Sequence, residues 1–403
     1  MAAPAPDAAD GDLVTRYLSL GLGLGRHLDG LVDAYYGPSA LKDAAEAGSP
    51  RPLGALADDA RQLVADIDAG VDQPIGVARR TWLRAQVVGL DTVARKLGGE
   101  AIAYEDEVQR CYGVRPASVP EDELAAAHRR LDEVLPGSGA IRDRYIAWRE
   151  SQTIPPDLVE PAIASLAEDF RERTDRAFGL PDGEQIEWLL ETDKPWSGFN
   201  YYLGDLRSRV AINIDLPVLS PSLGHLVAHE AYPGHHTEHS RKEVGLVRRH
   251  GHLEESIFLV GTPQCLLAEG LADLGLEALL GDDAVGIVAE HLRPLGIPYD
   301  AEVISAVAAA GEALAAVRGN VALMLHRDGA SPEEAVAAFE RWALLPRNRA
   351  EKAVQFLTDP TWRAYIFCYI DGVRLCRQFV GGDPARFERL LSESFIPSDL
   401  TAA

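Results

Sequence analysis

The sequence predicts a mainly α protein with one small β element. Three observations carry that expectation. Apolar residues recur at three- and four-residue spacing through most of the chain. Proline and glycine divide it into segments of helical length. Short runs rich in β-branched and aromatic residues cluster in one place, QIEWLLET (185–192) and RVAINIDL (209–216).

Taken in order, residues 11–34 read as a first helix, ended by Tyr35-Tyr36-Gly37-Pro38. Gly21, Gly23 and Gly25 imitate a dinucleotide loop, but Arg26 stands where its last glycine belongs and no strand precedes them. Residues 39–70 continue as helix with a break at Ser49-Pro50 and Pro52. Residues 76–110 read as one long helix, followed by 121–134, 139–151 and 156–178. Pro155-Pro156 opens the last of these, as proline suits a first helical turn. The two β runs pair in a small sheet or hairpin, joined by an aromatic loop, KPWSGFNYYLGDLRS. Helices then resume at 221–232, 235–248, 252–280, 283–292, 299–326, 332–341, 349–357, 361–379 and 384–394. Residues 1–180 form an N-terminal helical part and 181–403 the part that carries the chemistry, within one continuous body.

Composition excludes several classes. The 403 residues are 47% hydrophobic and 25% charged, ordinary for a chain with a large core. A net charge of −23 argues against binding nucleic acid or an anionic membrane. Cys111, Cys265, Cys368 and Cys376 form no CxxC pair and read as free buried thiols of a reducing compartment. The opening MAAPAPDAADGDLV lacks a basic and an apolar signal region, and no apolar run is long enough to span a bilayer. The expected location is cytoplasmic.

Seven of the eleven histidines fall within 225–252: His225, His229, His235, His236, His239, His250 and His252. Their centre is HLVAHEAYPGHHTEH. The zinc-hydrolase motif HExxH sets two ligand histidines four apart on one helical face, with the glutamate as general base. Here Pro233 occupies the fifth position, so the strict motif fails. Proline removes a helical hydrogen bond and clashes with the carbonyl four residues back, and Gly234 adds freedom. The helix must break after Glu230, and the break can return a later histidine to His229. On an unbroken helix His236 would lie nearly in line with His229 but ~10 Å along the axis. A bulge that restores HE…GH favours His235. His235 is preferred, with His236 as the alternative. His225 and His229 also share a face, which makes a second pairing. His239, His250 and His252, flanked by Arg241, Lys242, Arg248 and Arg249, read as wet surface.

A third ligand is expected from a later helix. LLAEGLADLGLEALL (266–280) offers Glu269 and, one turn on, Asp273. In glutamate-ligand zinc peptidases the first acid binds metal and the second holds a ligand histidine by its other ring nitrogen. Leucines around both acids suggest burial, and buried carboxylates need partners.

HExxPGHH followed by a buried AEG helix resembles the bacterial family known as domain of unknown function 885. The resemblance extends to WSGFNYYLGDLRSRVAINIDLP, to DPTWRAYIFCYIDGVRL with its Tyr369-x-x-Gly372 segment, and to FERLLSESFIPSDL, so it covers roughly 180–400. That family looks like a distant relative of the carboxypeptidase Taq type of zinc peptidase. The resemblance implies a large helical, zincin-like body with a central cleft. It also implies His229, one of His235 and His236, and Glu269 as zinc ligands, with Glu230 as base. One departure is Leu271, where the family usually has tryptophan after EG. The chain is also short for the family.

The expected activity is metal-dependent hydrolysis of a short peptide, with zinc preferred over other divalent transition metals. Tyr365 and Tyr369 are candidate oxyanion donors, Tyr369 the better one through the Y-x-x-G resemblance. Arg374 is a candidate clamp for a substrate carboxylate. RVAINIDL could hold an extended peptide by edge pairing, with Arg207 and Arg209 nearby. The alternatives are hydrolysis of a small amide or ester, and a non-catalytic metal- or ligand-binding protein on a peptidase-like fold. The sequence leaves the substrate, the end of the peptide attacked and the oligomeric state open.

Overall fold

The computed structural model describes residues 11–70, 75–194 and 196–401. The opening residues 1–10, on which the reading of the N-terminus rests, lie outside them. The architecture is mainly helical with two small sheets.

The helices Glu121–Val134 and Pro156–Phe178 keep the expected bounds. Others are shorter. The first helix is Gly11–Gly25, and part of its expected tail is β1, Val32–Tyr35. The segment 76–110 is two helices, Val77–Leu97 and Tyr104–Tyr112, parted at Gly98-Gly99, where Gly99 has φ of 89°. The segment 252–280 is a 3-10 turn, a short strand and only then the helix Pro263–Leu280. The segment 299–326 is likewise divided into Ala301–Gly311 and Val317–His326 by a 3-10 turn.

The expected small β element is a three-stranded sheet. It contains β2 (Gln185–Glu191), β3 (Gly198–Gly204) and β4 (Arg207–Asn213), in the order β2-β4-β3. The aromatic loop is therefore largely a strand. FNYYL has the aromatic content of one, and alternate residues Asn200 and Tyr202 are buried. β2 runs parallel to β4, and β3 antiparallel to it. RVAINIDL is thus the central strand and has no free edge to offer a peptide. Arg209 pairs instead with Glu187 at 3.0 Å on the exposed face. A second sheet joins β1 to β5, Ile257–Leu259, with Val32 opposite Leu259 and Ala34 opposite Phe258.

The largest core cluster takes side chains from Leu13 to Leu400, so it spans both parts of the chain. A second cluster joins the helix Pro156–Phe178, strand β4 and the helix Ser220–Glu230. All four cysteines are free and buried. No helix among the described residues is long and apolar enough to cross a membrane.

Candidate metal centre

The break after Glu230 is complete. One helix, Ser220–Glu230, ends there, and the next, His235–Lys242, begins five residues on. Between them the Tyr232–Pro233 peptide is cis. The Gly234 amide donates to the Ala228 carbonyl at 2.9 Å. A Cβ on Gly234 would lie 1.9 Å from the His229 oxygen, so only glycine permits this turn. Its effect is to carry the second helix back across the end of the first.

His235 thereby returns to His229, with ring centroids 4.7 Å apart. Glu269, on the helix Pro263–Leu280, faces both. His229 Nε2 lies 3.5 Å from Glu269 Oε2, and His235 Nε2 lies 3.3 Å from Glu269 Oε1. Four-coordinate zinc with bonds of about 2.1 Å sets its ligand atoms about 3.4 Å apart. The two nitrogens and the carboxylate therefore have the spacing that a tetrahedral ion requires. Glu269 Oε2 is buried with no hydrogen-bond partner among the described residues. Burying an unpartnered carboxylate oxygen is costly, and a cation would remove that cost. His235 Nδ1 is also buried and unpartnered.

The ligand atoms are oriented from behind. Asp273 Oδ1 accepts from His229 Nδ1 at 2.9 Å, which leaves Nε2 as the lone-pair nitrogen facing Glu269. His225 approaches the same oxygen at 3.2 Å. His225, His229 and Asp273 thus form a neighbouring cluster that shares His229. Burial alone would raise the Asp273 pKa, but the His225 and His229 imidazoles hold it well below the usual carboxylate range. Glu269 is likewise brought down to about 2, because the neighbouring histidines outweigh its burial.

Tyr365 donates to Glu269 Oε1 at 2.6 Å. Its hydroxyl is therefore committed to the carboxylate. Tyr369, one turn on, lies with its ring 6.4 Å from that of His229 and lines an open cavity of about 700 Å³. Two glycines make this packing possible. A Cβ on Gly270 would lie 2.4 Å from the Gly372 oxygen, and one on Gly372 would lie 2.4 Å from the Leu266 oxygen. The Glu269-Gly270 and Tyr369-x-x-Gly372 segments thus touch backbone to backbone, with Tyr369 on a π-helical turn, Cys368–Gly372.

Glu230 is buried beside this centre. A Cβ on Gly198, the first residue of β3, would lie 2.9 Å from Glu230 Oε1. Asn200, also on β3, donates to the Glu230 carbonyl at 2.7 Å and secures the end of its helix. Burial raises the Glu230 carboxyl above its ordinary pKa, although His229 and His235 oppose the shift.

His236 goes elsewhere. Its two ring nitrogens meet Ser208 Oγ and Glu184 Oε2, both at 2.8 Å. Tyr232 donates to the same Glu184 oxygen at 2.7 Å, and Arg171 to the other at 2.6 Å. With both nitrogens engaged, His236 has no lone pair for a metal, and the alternative ligand assignment is withdrawn. His239 and Lys242 also depart from expectation, being buried rather than wet. His239 stacks on Tyr202 at 4.8 Å, and Lys242 pairs with Glu238 at 2.7 Å. Arg374 lines the cavity but its guanidinium is held by Asp371 at 2.8 Å.

Sequence reading missed Asp33. It lies on β1, far from the motif in sequence, yet His235, Glu269 and Glu230 act on its charge. Its pKa is pushed up to about 7, first by burial and then by the two glutamates, against the pull of His235.

No protein-family model matches the chain, and no curated protein matches it. Among solved structures, the crystal structure described as "the putative lipoprotein from Colwellia psychrerythraea" matches with a TM-score of 0.52 at 16% identity. That match covers 86% of this chain and 65% of the other, so this chain spans less than two thirds of its length. The structure described as "a putative lipoprotein of unknown function from Shewanella oneidensis" matches at 0.44 and 13%, over 89% and 74% of the two chains. An M32 carboxypeptidase from Deinococcus radiodurans R1 matches at 0.39 and 12%, over 95% and 89%. At these identities the first likeness is one of fold alone, and the other two are looser still.

Proposed function

We propose that the protein is a metal-dependent hydrolase, with zinc as the metal and short peptides as substrates. The observation that carries this reading is the convergence of His229, His235 and Glu269 at metal-ligand spacing, with a buried, unpartnered oxygen on Glu269. A zinc ion held by these three residues would supply Lewis acidity toward water and toward a carbonyl oxygen.

The chain's own residues supply the rest. Glu230, beside the metal ligands but outside their set, takes the proton of the attacking water and returns it to the leaving amine. Tyr369 presents a phenol from the cavity side and donates to the oxygen on which charge develops. Tyr365 and Asp273 keep Glu269 and His229 in place. The cavity beyond Tyr369 is bounded by Leu276, Ile370 and Val373 and receives an apolar part of the substrate. Four buried free thiols favour a reducing, cytoplasmic location.

Glu230→Gln tests the reading. The expected variant keeps about one zinc per chain and loses about 10²- to 10⁴-fold in kcat on a hydrolysed dipeptide. Full turnover in that variant would remove Glu230 from the chemistry.

A further inference from the structure

The histidine one turn before His229 has no part in the chemistry above. His225 and His229 stand four residues apart on the helix Ser220–Glu230, with ring centroids 5.7 Å apart. His225 Nε2 lies 3.2 Å from Asp273 Oδ1, the oxygen that also accepts from His229 Nδ1 at 2.9 Å. One ligand atom from each of His225, His229 and Asp273 falls within 4.8 Å of the others. Two ligand atoms of one tetrahedral zinc ion stand about 3.4 Å apart, so the His225 nitrogen and the Asp273 carboxylate have the spacing of a ligand pair.

The two clusters differ in access. His229, His235 and Glu269 are buried, whereas the side chains of His225 and Asp273 are 46% and 17% exposed. Both of these line the cavity of about 700 Å³ beside Tyr369. The arginines of that cavity are already matched, Arg374 with Asp371 at 2.8 Å and Arg377 with Glu277 at 2.9 Å. Among the described residues the charged partners of Asp273 are imidazoles alone. An imidazole and a carboxylate that water reaches are ligands suited to a divalent transition metal. A net charge of −23 further draws cations toward such an opening.

We propose that a second divalent transition-metal ion binds on the wall of this cavity, with His225 Nε2 and the Asp273 carboxylate as its ligands. Water from the cavity fills its remaining positions, and His225 then carries its ring proton on Nδ1. His229 keeps its Nδ1 hydrogen bond to the same carboxylate, so one aspartate serves both ions. With two protein ligands against three, this outer ion binds more weakly than one held by His229, His235 and Glu269. It also draws charge from the carboxylate that supports His229 and stands beside Tyr369, so excess metal slows turnover. That last consequence rests on the hydrolase reading, whereas the binding does not.

Zinc titrated calorimetrically into the metal-free protein, with bound metal counted by elemental mass spectrometry, tests this. The parent protein should take up about two ions per chain, one tight and one weak. His225→Ala, a change at a half-exposed residue, should lose the weak ion and keep the tight one, and His235→Ala should do the reverse. On a hydrolysed dipeptide, excess zinc should slow the parent protein and leave the rate of H225A unchanged. A weak ion that persists in H225A would be an adventitious ion only and would overturn the proposal. A single ion, kept in H225A and lost in H235A, would also overturn it and leave the hydrolase reading intact. A single ion, lost in H225A and kept in H235A, would support the outer site and remove the hydrolase centre. No uptake at all would end both.

Discussion

His235 and His236 are adjacent in sequence and both buried, yet their surroundings are opposite. His236 sits in a closed network, with Ser208 and Glu184 on its two nitrogens and with Tyr232 and Arg171 completing Glu184. His235 sits in an open one, with Nδ1 unpartnered and Nε2 facing a carboxylate that itself has an unpartnered oxygen. The closed network is complete without a ligand. The open one brings two imidazoles and a carboxylate together at a spacing that could hold a metal ion. A buried histidine is thus told apart by what its second nitrogen lacks, more than by its place in a motif.

The sharpest way to break this comparison is to truncate each histidine in turn. His235→Ala should remove one of the three proposed metal ligands and weaken zinc binding by well over about 100-fold, beyond what loss of a supporting residue costs. Metal content by elemental mass spectrometry reads this directly. His236→Ala should retain zinc but leave Glu184 buried beside a void. Breaking a buried charged pair costs about 3 kcal/mol or more, read as a lowered urea midpoint. If His236→Ala lost zinc and His235→Ala kept it, the assignment would be reversed. Asp273→Asn lies between these cases. It keeps the shape but weakens the acceptor behind His229, so zinc affinity should fall about 10- to 100-fold in a competition titration with a chelator. An unchanged affinity would mean that Asp273 serves only His225.

The histidine comparison also marks how far sequence reaches. The break at Pro233-Gly234 was legible because proline and glycine act locally, and a break restoring the HE…GH spacing pointed to His235. Glu269 and Asp273 were legible from their one-turn spacing on an apolar helix. The closure of His236 was not, because Glu184 lies 52 residues away and nothing local announces the contact. Asp33 was hidden for the same reason. β1 and β5 are three or four residues long and pair across more than 200 positions, so their apolar residues merged into the neighbouring helical periodicity. The helices Glu121–Val134 and Pro156–Phe178 were legible throughout, since capping prolines and a continuous apolar stripe mark them within the chain itself. The parallel pairing of β2 and β4 is not legible, because the aromatic segment between them reads as a loop, whereas it is β3, the strand that runs back between them in sequence and so allows it.

His239 extends the comparison to a third state: buried, and kept neutral by its surroundings. Burial lowers its pKa well below the ordinary histidine value, and the nearby His235, Lys242 and His236 push the same way. The unfolded chain would protonate this ring near pH 6.5, whereas the folded protein resists. Between those two values the unfolded state binds the extra proton, so stability rises with pH. The contribution is fully present above about pH 6.5 and erodes as the pH falls below it, by up to about 1.4 kcal/mol per unit. Urea midpoints of the parent protein and His239→Phe at pH 7.0, 6.0 and 5.5 would measure it. The variant keeps an aromatic ring against Tyr202 and Phe258 but cannot titrate, so the difference between the two proteins should narrow or reverse toward acid. Parallel pH profiles would mean that His239 binds its proton in the folded state as readily as in the unfolded one.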